Sequence, residues 1–298
     1  MKKQIAVLFL LSVSFCLTAQ TSLSFNPQKG SKYLYQQKTV QIINQTMMGQ
    51  EIVMNQEMSF DYELDVLEKG PDGFRVQYTY KDVEFFMSAA MMKMAYSSKT
   101  PNENPSDMDK TVGKMFGSFI GKSFTITVAS DGSVKEVSGM EAIADEMIKS
   151  IATDGQIATQ IATSLKPQFS DGNMKNAFEQ SLKIYPEKAV KTGESWDVEQ
   201  EFGIAGMSSS NKAKYTLKDV KKNVATIDVA STMKMKPETQ GMTGDLTGTQ
   251  TGVMQVDVKT GIPVSSDTSM ELKGTISASG MSIVMSADSK IKTTITKK

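Results

Sequence analysis

The chain has 298 residues, and 33 Lys and Arg residues balance 33 Asp and Glu residues. This length allows one large domain or two small ones, and a formal charge of zero provides no field for holding nucleic-acid phosphates. The sequence has no His, one Cys and a single Arg (Arg75), which argues against Ser-His-Asp triads, thiol nucleophiles, zinc sites and bidentate arginine clamps. We therefore expect a protein that is not an enzyme, uses no cofactor and binds no nucleic acid.

Residues 1–19 have the pattern of a secretory signal peptide. Two lysines precede residues 5–17, an apolar stretch that is too short to span a membrane. We predict cleavage between Ala19 and Gln20. No later segment is apolar enough to span a membrane, so we expect an exported protein, periplasmic or secreted, without a transmembrane span in the mature chain.

The lone cysteine, Cys16, lies inside this signal. A lipid-anchored cysteine needs a small residue before it, and the preceding residue here is Phe15. We therefore expect plain cleavage rather than lipoprotein anchoring through Cys16. The mature chain would then contain no cysteine, and its stability would depend on its core.

Strand patterns follow in chain order. Apolar and polar residues alternate along residues 52–66, which predicts a long strand with one buried face and one solvated face. Asp131-Gly132 has the composition of a tight hairpin, and the C-terminal third repeats the pattern with turns at 221–223 and 260–261. With about eleven strands, we predict an α+β fold that is mostly antiparallel β, with one or more long curved sheets.

Helical patterns cluster in the middle of the chain. Ser106 and Ser138 begin capping-box sequences, and apolar residues recur at helical spacing along residues 108–120 and 140–151. Residues 174–185 carry another amphipathic pattern, which ends before a proline. We expect these helices to pack their apolar faces against the sheet.

A weak internal duplication divides the chain. Residues 30–33 resemble residues 193–196, and residues 62–66 resemble residues 215–220. The pattern predicts two β-rich units packed with amphipathic helices.

The predicted domain boundaries follow from this duplication. Residues 20–138 form a first β-rich unit that contains a helical insert at residues 87–121. Residues 139–186 form a helical connector, and residues 187–298 form the second β-rich unit.

Several turns and strands resemble those of an uncharacterised family of exported bacterial proteins of about 300 residues. The similar segments are GKSFTITVASDG (121–132), VSGM (137–140), GESW (193–196), GTQTG (248–252) and VDVKTG (256–261). The resemblance covers nearly the whole mature chain and implies no activity. The predicted architecture is also distantly similar to periplasmic lipoprotein carriers of the LolA kind, and this likeness assigns no residue.

Carboxylates are the remaining enzymatic option. Asp61, Glu63 and Asp65 share one face of a predicted strand, with about 7 Å between alternate positions. Such a group could act as an acid–base pair or hold calcium weakly. The pattern is more typical of the solvated side of a strand.

Methionine is unusually frequent, with 22 residues that cluster in several segments. Methionine side chains can fill an irregular core, line an adaptable apolar cavity, or bind Cu(I) through their thioethers. No His or Cys accompanies these clusters, which disfavours copper, and we predict no metal site.

These observations favour a binding protein that holds an apolar small molecule or acyl chain in a methionine-rich cavity. We predict that the insert carries a helix that acts as a lid over this cavity. The predicted lining residues are Met87, Met91, Met92, Met94, Met115, Phe116 and Phe119. The alternative is a structural or interaction protein of the cell envelope, with a filled core, an envelope protein partner and no ligand.

Overall fold

Long strands dominate the computed structural model of the protein, as the alternating sequence predicts. Twelve strands form one antiparallel sheet, so the predicted fold class, α+β and mostly antiparallel β, is confirmed. The structure describes residues 20–90, 92–151, 155, 159–160, 163, 166–204, 207–238, 241–278 and 281–298. The predicted signal peptide, with Cys16 and Ala19, lies outside these ranges.

The sheet has the strand order β6-β5-β3-β2-β1-β12-β11-β10-β9-β8-β7, and β4 pairs with β3 beside this path. Each strand of the long path pairs with a neighbour close to it in sequence, apart from the pairing of β1 with β12. The strands are β1 Lys32–Met47, β2 Gln50–Gly70, β3 Gly73–Ala89, β4 Met92–Ser97, β5 Ser123–Val128, β6 Val134–Ser138, β7 Ser195–Ile204, β8 Met207–Lys221, β9 Val224–Pro237, β10 Met242–Asp257, β11 Pro263–Ala278 and β12 Met281–Lys297.

Within the described ranges, three helices interrupt the strands: α1 Asp107–Gly117, α2 Met140–Ile151 and α3 Asp171–Leu182. A 3₁₀ turn, Lys166–Phe169, precedes α3. The capping box predicted at the start of α1 is present, because Ser106 and Asp109 bond to each other's backbone N–H groups. Among the helices of the described ranges, none is long and apolar enough to cross a membrane.

Helix α3 contacts both edges of the sheet. Toward β6, the Val134 N–H donates to Glu179 Oε2 (3.3 Å). Toward β7, Gln200 Nε2 donates to Glu179 O (3.0 Å) and Asn176 Nδ2 donates to Gly203 O (2.9 Å). Eleven strands laid flat would span about 48 Å, whereas a helix is only about 10 Å wide. The sheet must therefore curl until its two edges flank α3, which leaves a concave face inside.

The segment before β1 covers one end of the curled sheet, which we call the plugged end. Thr21 pairs with Val190, the Phe25 N–H donates to Ser130 O (2.8 Å), and the Asn26 N–H donates to Thr260 O (2.7 Å). Leu23 and Phe25 are buried there. One short segment thus ties together three connections that lie far apart in sequence.

Two glycines make this close packing feasible. Gly132 and Gly261 both have positive φ values, of 84° and 70°. A Cβ at Gly132 would lie 1.9 Å from Leu182 O, and a Cβ at Gly261 would lie 1.9 Å from Ser24 O. Both hairpin turns therefore require glycine, for conformation and for space.

The core lies between the concave face and the helices. Tyr62, Tyr80 and Phe124 project from β2, β3 and β5, and the ring of Tyr80 lies 5.2 Å from that of Phe119, which follows α1. The alternation predicted for residues 52–66 lies within β2, and its even-numbered side chains form part of the concave face.

The resemblance between residues 30–33 and residues 193–196 has a local counterpart in hydrogen bonding. The Gly30 N–H donates to Val66 O (2.8 Å), and the Gly193 N–H donates to Leu217 O (2.7 Å). In both places the bonded residue of the neighbouring strand returns a bond to the residue after the glycine. The duplication of the whole units remains a prediction.

Candidate functional site

Helix α3 and the concave face border a partly open cavity of ≈ 340 Å³. Small-molecule sites typically measure about 300 to 1,000 Å³. The side chains around it come from α3 and its C-terminal extension and from β1, β3 and β8–β12, and all of them are uncharged. The apolar and aromatic ones are Tyr35, Tyr78, Ala177, Phe178, Leu182, Ile184, Ala213, Tyr215, Val229, Met233, Met254, Pro263, Ile291 and Ile295.

Tyrosines form the aromatic wall of this cavity, and burial further disfavours their ionised form. Burial raises the pKa of Tyr215 to about 12, and it raises the pKa of Tyr78 as well. Burial also raises the pKa of Tyr35, although a hydrogen bond with Thr293 acts in the opposite direction. Among the described residues that line the cavity, no side chain is ionised at neutral pH.

Polar groups lie on the sheet side of the cavity. Gln250 Nε2 donates to Thr268 Oγ1 (3.2 Å), and Thr268 is buried. Asn211 is also buried, and its Oδ1 atom has no hydrogen-bond partner within the part of the chain that the structure describes. An apolar site with a few convergent polar groups is typical of small-molecule binding.

Methionines continue the concave face beyond the cavity, toward the end of the strands opposite the plugged end. We call this the far end. The side chains of Met54, Met233, Met235, Met270 and Met285 lie there on the same face as the cavity residues and are half-buried. The methionine-rich composition is thus partly a property of this face.

Helix α3 owes its position to capping and to its C-terminal anchors. Ser170 caps its N-terminus by accepting from the Asn173 N–H (3.2 Å). After the helix ends, Tyr185 Oη donates to Gly261 O (2.6 Å), and Trp196 Nε1 donates to Ile184 O (2.8 Å). These bonds hold the helix end and the cavity residues beside it against β7 and the turn between β10 and β11.

The site residues predicted from sequence lie elsewhere. Met94, Met115, Phe116 and Phe119 are buried and pack in the core near α1, Met87 packs partly buried against it, and Met92 is exposed. Met91 lies outside the described residues, as does Ala19 of the predicted cleavage site, whereas Gln20 is exposed. Of those that the structure describes, none lines the cavity beneath α3.

The sequence does contain a signal for the residues that line the cavity. On β8 the inward positions run Ser209, Asn211, Ala213, Tyr215, so small and polar residues share the face of a core tyrosine. An apolar face that changes to polar residues along one strand marks the point where the solid core ends. This change, rather than the frequency of methionine, is the sequence feature that locates the cavity.

The carboxylates considered as a catalytic or calcium group are paired with lysines. Lys99 Nζ lies 2.9 Å from Asp61 Oδ2, and Lys32 Nζ lies 2.8 Å from Asp65 Oδ1. Glu63 pairs with Lys298. Among the described residues, no three His, Cys, Asp or Glu side chains form a group that could hold a metal ion.

A larger groove of ≈ 740 Å³ lies outside the concave face, along β7. Charged side chains such as Lys188, Glu194 and Asp197 line it, and it opens at the connection that precedes β7. Its polar lining makes it a weaker candidate for an apolar ligand than the cavity beneath α3.

Comparisons with solved structures found only distant similarity. A structure titled "Lipid-protein interactions in lipovitellin" aligns with 89% of this chain at a TM-score of 0.44 and 9% identity, and the chain spans 25% of that protein. Crystal structures of OccK7 (OpdD) and OpdQ from Pseudomonas aeruginosa align with 90% and 89% of this chain, and the alignments cover 100% and 99% of those proteins. Their TM-scores are 0.21 and 0.20, at 6% and 7% identity. A comparison with curated proteins found no match.

A sequence profile for a family of unknown function, DUF6263, matches residues 72–263. The match begins at the turn before β3 and ends at the start of β11, so it includes α1, α2, α3 and most of the strands around the cavity. It confirms the predicted membership in an uncharacterised family. The chain belongs to the family of unknown function DUF6263.

Proposed function

We propose that the protein is an exported, non-enzymatic binding protein that holds an apolar, lipid-like ligand in the cavity beneath α3. The observation that carries this proposal is the lining, which is uncharged and largely apolar around a volume of ≈ 340 Å³. Burial of each methylene group contributes about 0.8 kcal/mol, so an acyl chain of moderate length could bind after ordering costs.

The methionines of the far end support the same proposal. Thioether side chains adapt to ligands of varied shape. Met233 lines the cavity, and Met235 lies two residues further along the same face of β9. An acyl chain that begins beneath α3 could therefore extend along this face.

Binding of N-phenyl-1-naphthylamine, an uncharged apolar probe, tests the proposal. Delipidated protein should show saturable fluorescence enhancement. Met233→Asp should weaken binding at least tenfold, because it places a charge in the apolar lining. Thr232→Asp is the matched control, because Thr232 is the exposed neighbour on the opposite face of β9, and it should leave binding unchanged.

Both variants should retain the β-sheet circular dichroism of the wild type. If folded, delipidated wild-type protein shows no saturable binding, the proposed function is wrong. The alternative would then be favoured: an envelope interaction protein with a filled core. The exposed apolar side chains of Ile42, Val53 and Val284 near the far end would suit contact with another surface.

Export is the second part of the proposal, and it is supported by the composition of residues 1–19. Mass spectrometry of the protein from its native cells should show a chain that begins at Gln20. A full-length chain recovered from the cytoplasm would contradict export without affecting the ligand proposal.

A further inference from the structure

Four buried polar atoms on strands β8, β9 and β12 have no hydrogen-bond partner among the described residues. They are Ser209 Oγ, Asn211 Oδ1, Ser231 Oγ and Ser289 Oγ. All four residues are buried, and Asn211, which is 8% exposed, lines the cavity. A buried polar atom without a partner costs free energy, so several of them on one face require an explanation.

Strand register places two of these groups, those of Asn211 and Ser231, beside one another and beside residues that line the cavity. Asn211 is opposite Met233, and Ser231 is opposite Ala213 on one side and Gln250 on the other. Asn211 and Ser231 are therefore diagonal neighbours on the concave face, a separation of about 7 to 8 Å. A single small polar group could reach both.

The charge of the site restricts the group that could bind there. No Lys, Arg, Asp or Glu side chain is among the described residues that line the cavity. An ionised carboxylate or phosphate buried there would lack a counter-charge and would be strongly disfavoured. The unpartnered Asn211 Oδ1 can only accept, so its natural partner is a hydroxyl or amide hydrogen.

We propose that the ligand is an uncharged amphiphile whose hydroxyl or amide group donates a hydrogen bond to Asn211 and contacts Ser231. Its hydrocarbon part occupies the aromatic and methionine lining. This inference rests on the proposed function, and it specifies the class of ligand: a long-chain alcohol or glycerol ester, rather than a fatty-acid anion or a phospholipid.

Three compounds that each carry a ten-carbon chain test the inference by displacement of N-phenyl-1-naphthylamine at pH 8. Decan-1-ol is uncharged and donates a hydrogen bond, methyl decanoate is uncharged and cannot donate, and decanoate is an anion. Decan-1-ol should displace the probe at a concentration at least tenfold lower than either of the others.

Asn211→Leu should abolish the preference for decan-1-ol over methyl decanoate and leave methyl decanoate binding within about twofold of the wild type. Ser210→Leu, on the opposite face of β8, is the control and should retain the preference. If Asn211→Leu does not fold, Ser231→Ala should reduce the same preference several-fold.

The outcomes separate the two proposals. If the three compounds displace the probe equally, or if decanoate displaces it best, the inference about the neutral donor is wrong and the proposed apolar site stands. An unchanged preference in a folded Asn211→Leu variant also overturns the inference. If the probe itself does not bind, the proposed function fails.

Discussion

Helices α1 and α3 lie against the same concave face but are held there by different interactions. Helix α1 buries Val112, Met115 and Phe116, and Phe119, just beyond it, is fully enclosed. Every residue of α3 is described, and Leu182 is the one among them that is buried. Side-chain hydrogen bonds to the two sheet edges hold this helix. Helix α1 is therefore part of the core, whereas α3 lies over a cavity, and we expect α3 to open more easily than α1.

Replacing one phenylalanine near each helix should give the largest difference in the free energy of unfolding between the two regions. Phe119→Ala should lower the free energy of unfolding by about 4 kcal/mol, because it removes a fully buried ring. Phe178→Ala in α3 should cost about 1 to 2 kcal/mol, because Phe178 is only partly buried against Tyr78 and Phe124. Urea unfolding measures both values. Equal losses would contradict the distinction between the two helices.

Alkaline pH should lower the free energy of unfolding through the buried tyrosines beneath both helices. Burial raises the pKa of Tyr80, below Phe119, and of Tyr215, in the cavity beneath α3, to about 12. An unfolded tyrosine ionises near pH 10, so the unfolded state loses its protons first and stability falls between pH 10 and pH 12. At pH 11 the loss should be about 1 kcal/mol for each tyrosine.

Urea unfolding at pH 8 and pH 11 checks this expectation. Tyr80→Phe and Tyr215→Phe should each lose less stability over this interval than the wild type, since each lacks one ionisable group. If both variants show the wild-type pH dependence, groups other than these tyrosines cause the loss of stability at alkaline pH.

Much of the fold could be predicted because it depends on local signals. Alternation along residues 52–66 defined the concave face of β2, and the Ser106 capping box defined the start of α1. Gly132 and Gly261 lie in the two hairpin turns that the sequence predicts. Such signals act within a few residues, so they can be recognised without the tertiary structure.

The cavity could not be predicted because it depends on contacts between distant elements. Nothing near Asn176 or Glu179 in sequence indicates that α3 bridges β6 and β7. The methionines and phenylalanines around α1 had the composition of an adaptable cavity, and the structure packs most of them in the core. Composition indicates which surfaces are apolar. The contacts of α3 with the two sheet edges determine which of these surfaces borders a cavity and which is packed in the core.

Weakening one contact between α3 and a sheet edge should lower the stability by less, and the faster hydrogen exchange should be confined to α3. Asn176→Ala removes the 2.9 Å bond to Gly203 O, and we expect a loss of about 1 kcal/mol. Hydrogen exchange should become faster in α3 and stay unchanged in α1. Lys175→Ala is the neighbouring control. If α1 and α3 exchange faster together, the two helices open as one unit.

The smallest effect should come from glycines within the two helices. A Cβ on Gly172 of α3 would have no tertiary neighbour within 4 Å among the described residues, whereas a Cβ on Gly113 of α1 would lie 3.2 Å from Cδ2 of Tyr96. Gly172→Ala should therefore stabilise the protein by about 0.5 kcal/mol, since alanine favours the helical backbone. Gly113→Ala should give no gain, because the tight contact with the Tyr96 ring offsets the same backbone preference.

The variants Gly172→Ala and Gly113→Ala also test whether α3 controls access to the cavity. If α3 must loosen for a ligand to enter or leave, Gly172→Ala should slow the release of N-phenyl-1-naphthylamine about twofold, because about 0.5 kcal/mol corresponds to such a factor. Gly113→Ala should leave the release rate unchanged, since α1 packs in the core whether or not the cavity is occupied. Stopped-flow fluorescence measures both rates. Slower release in Gly113→Ala alone would assign control of access to α1, the helix that the sequence predicts to be the lid.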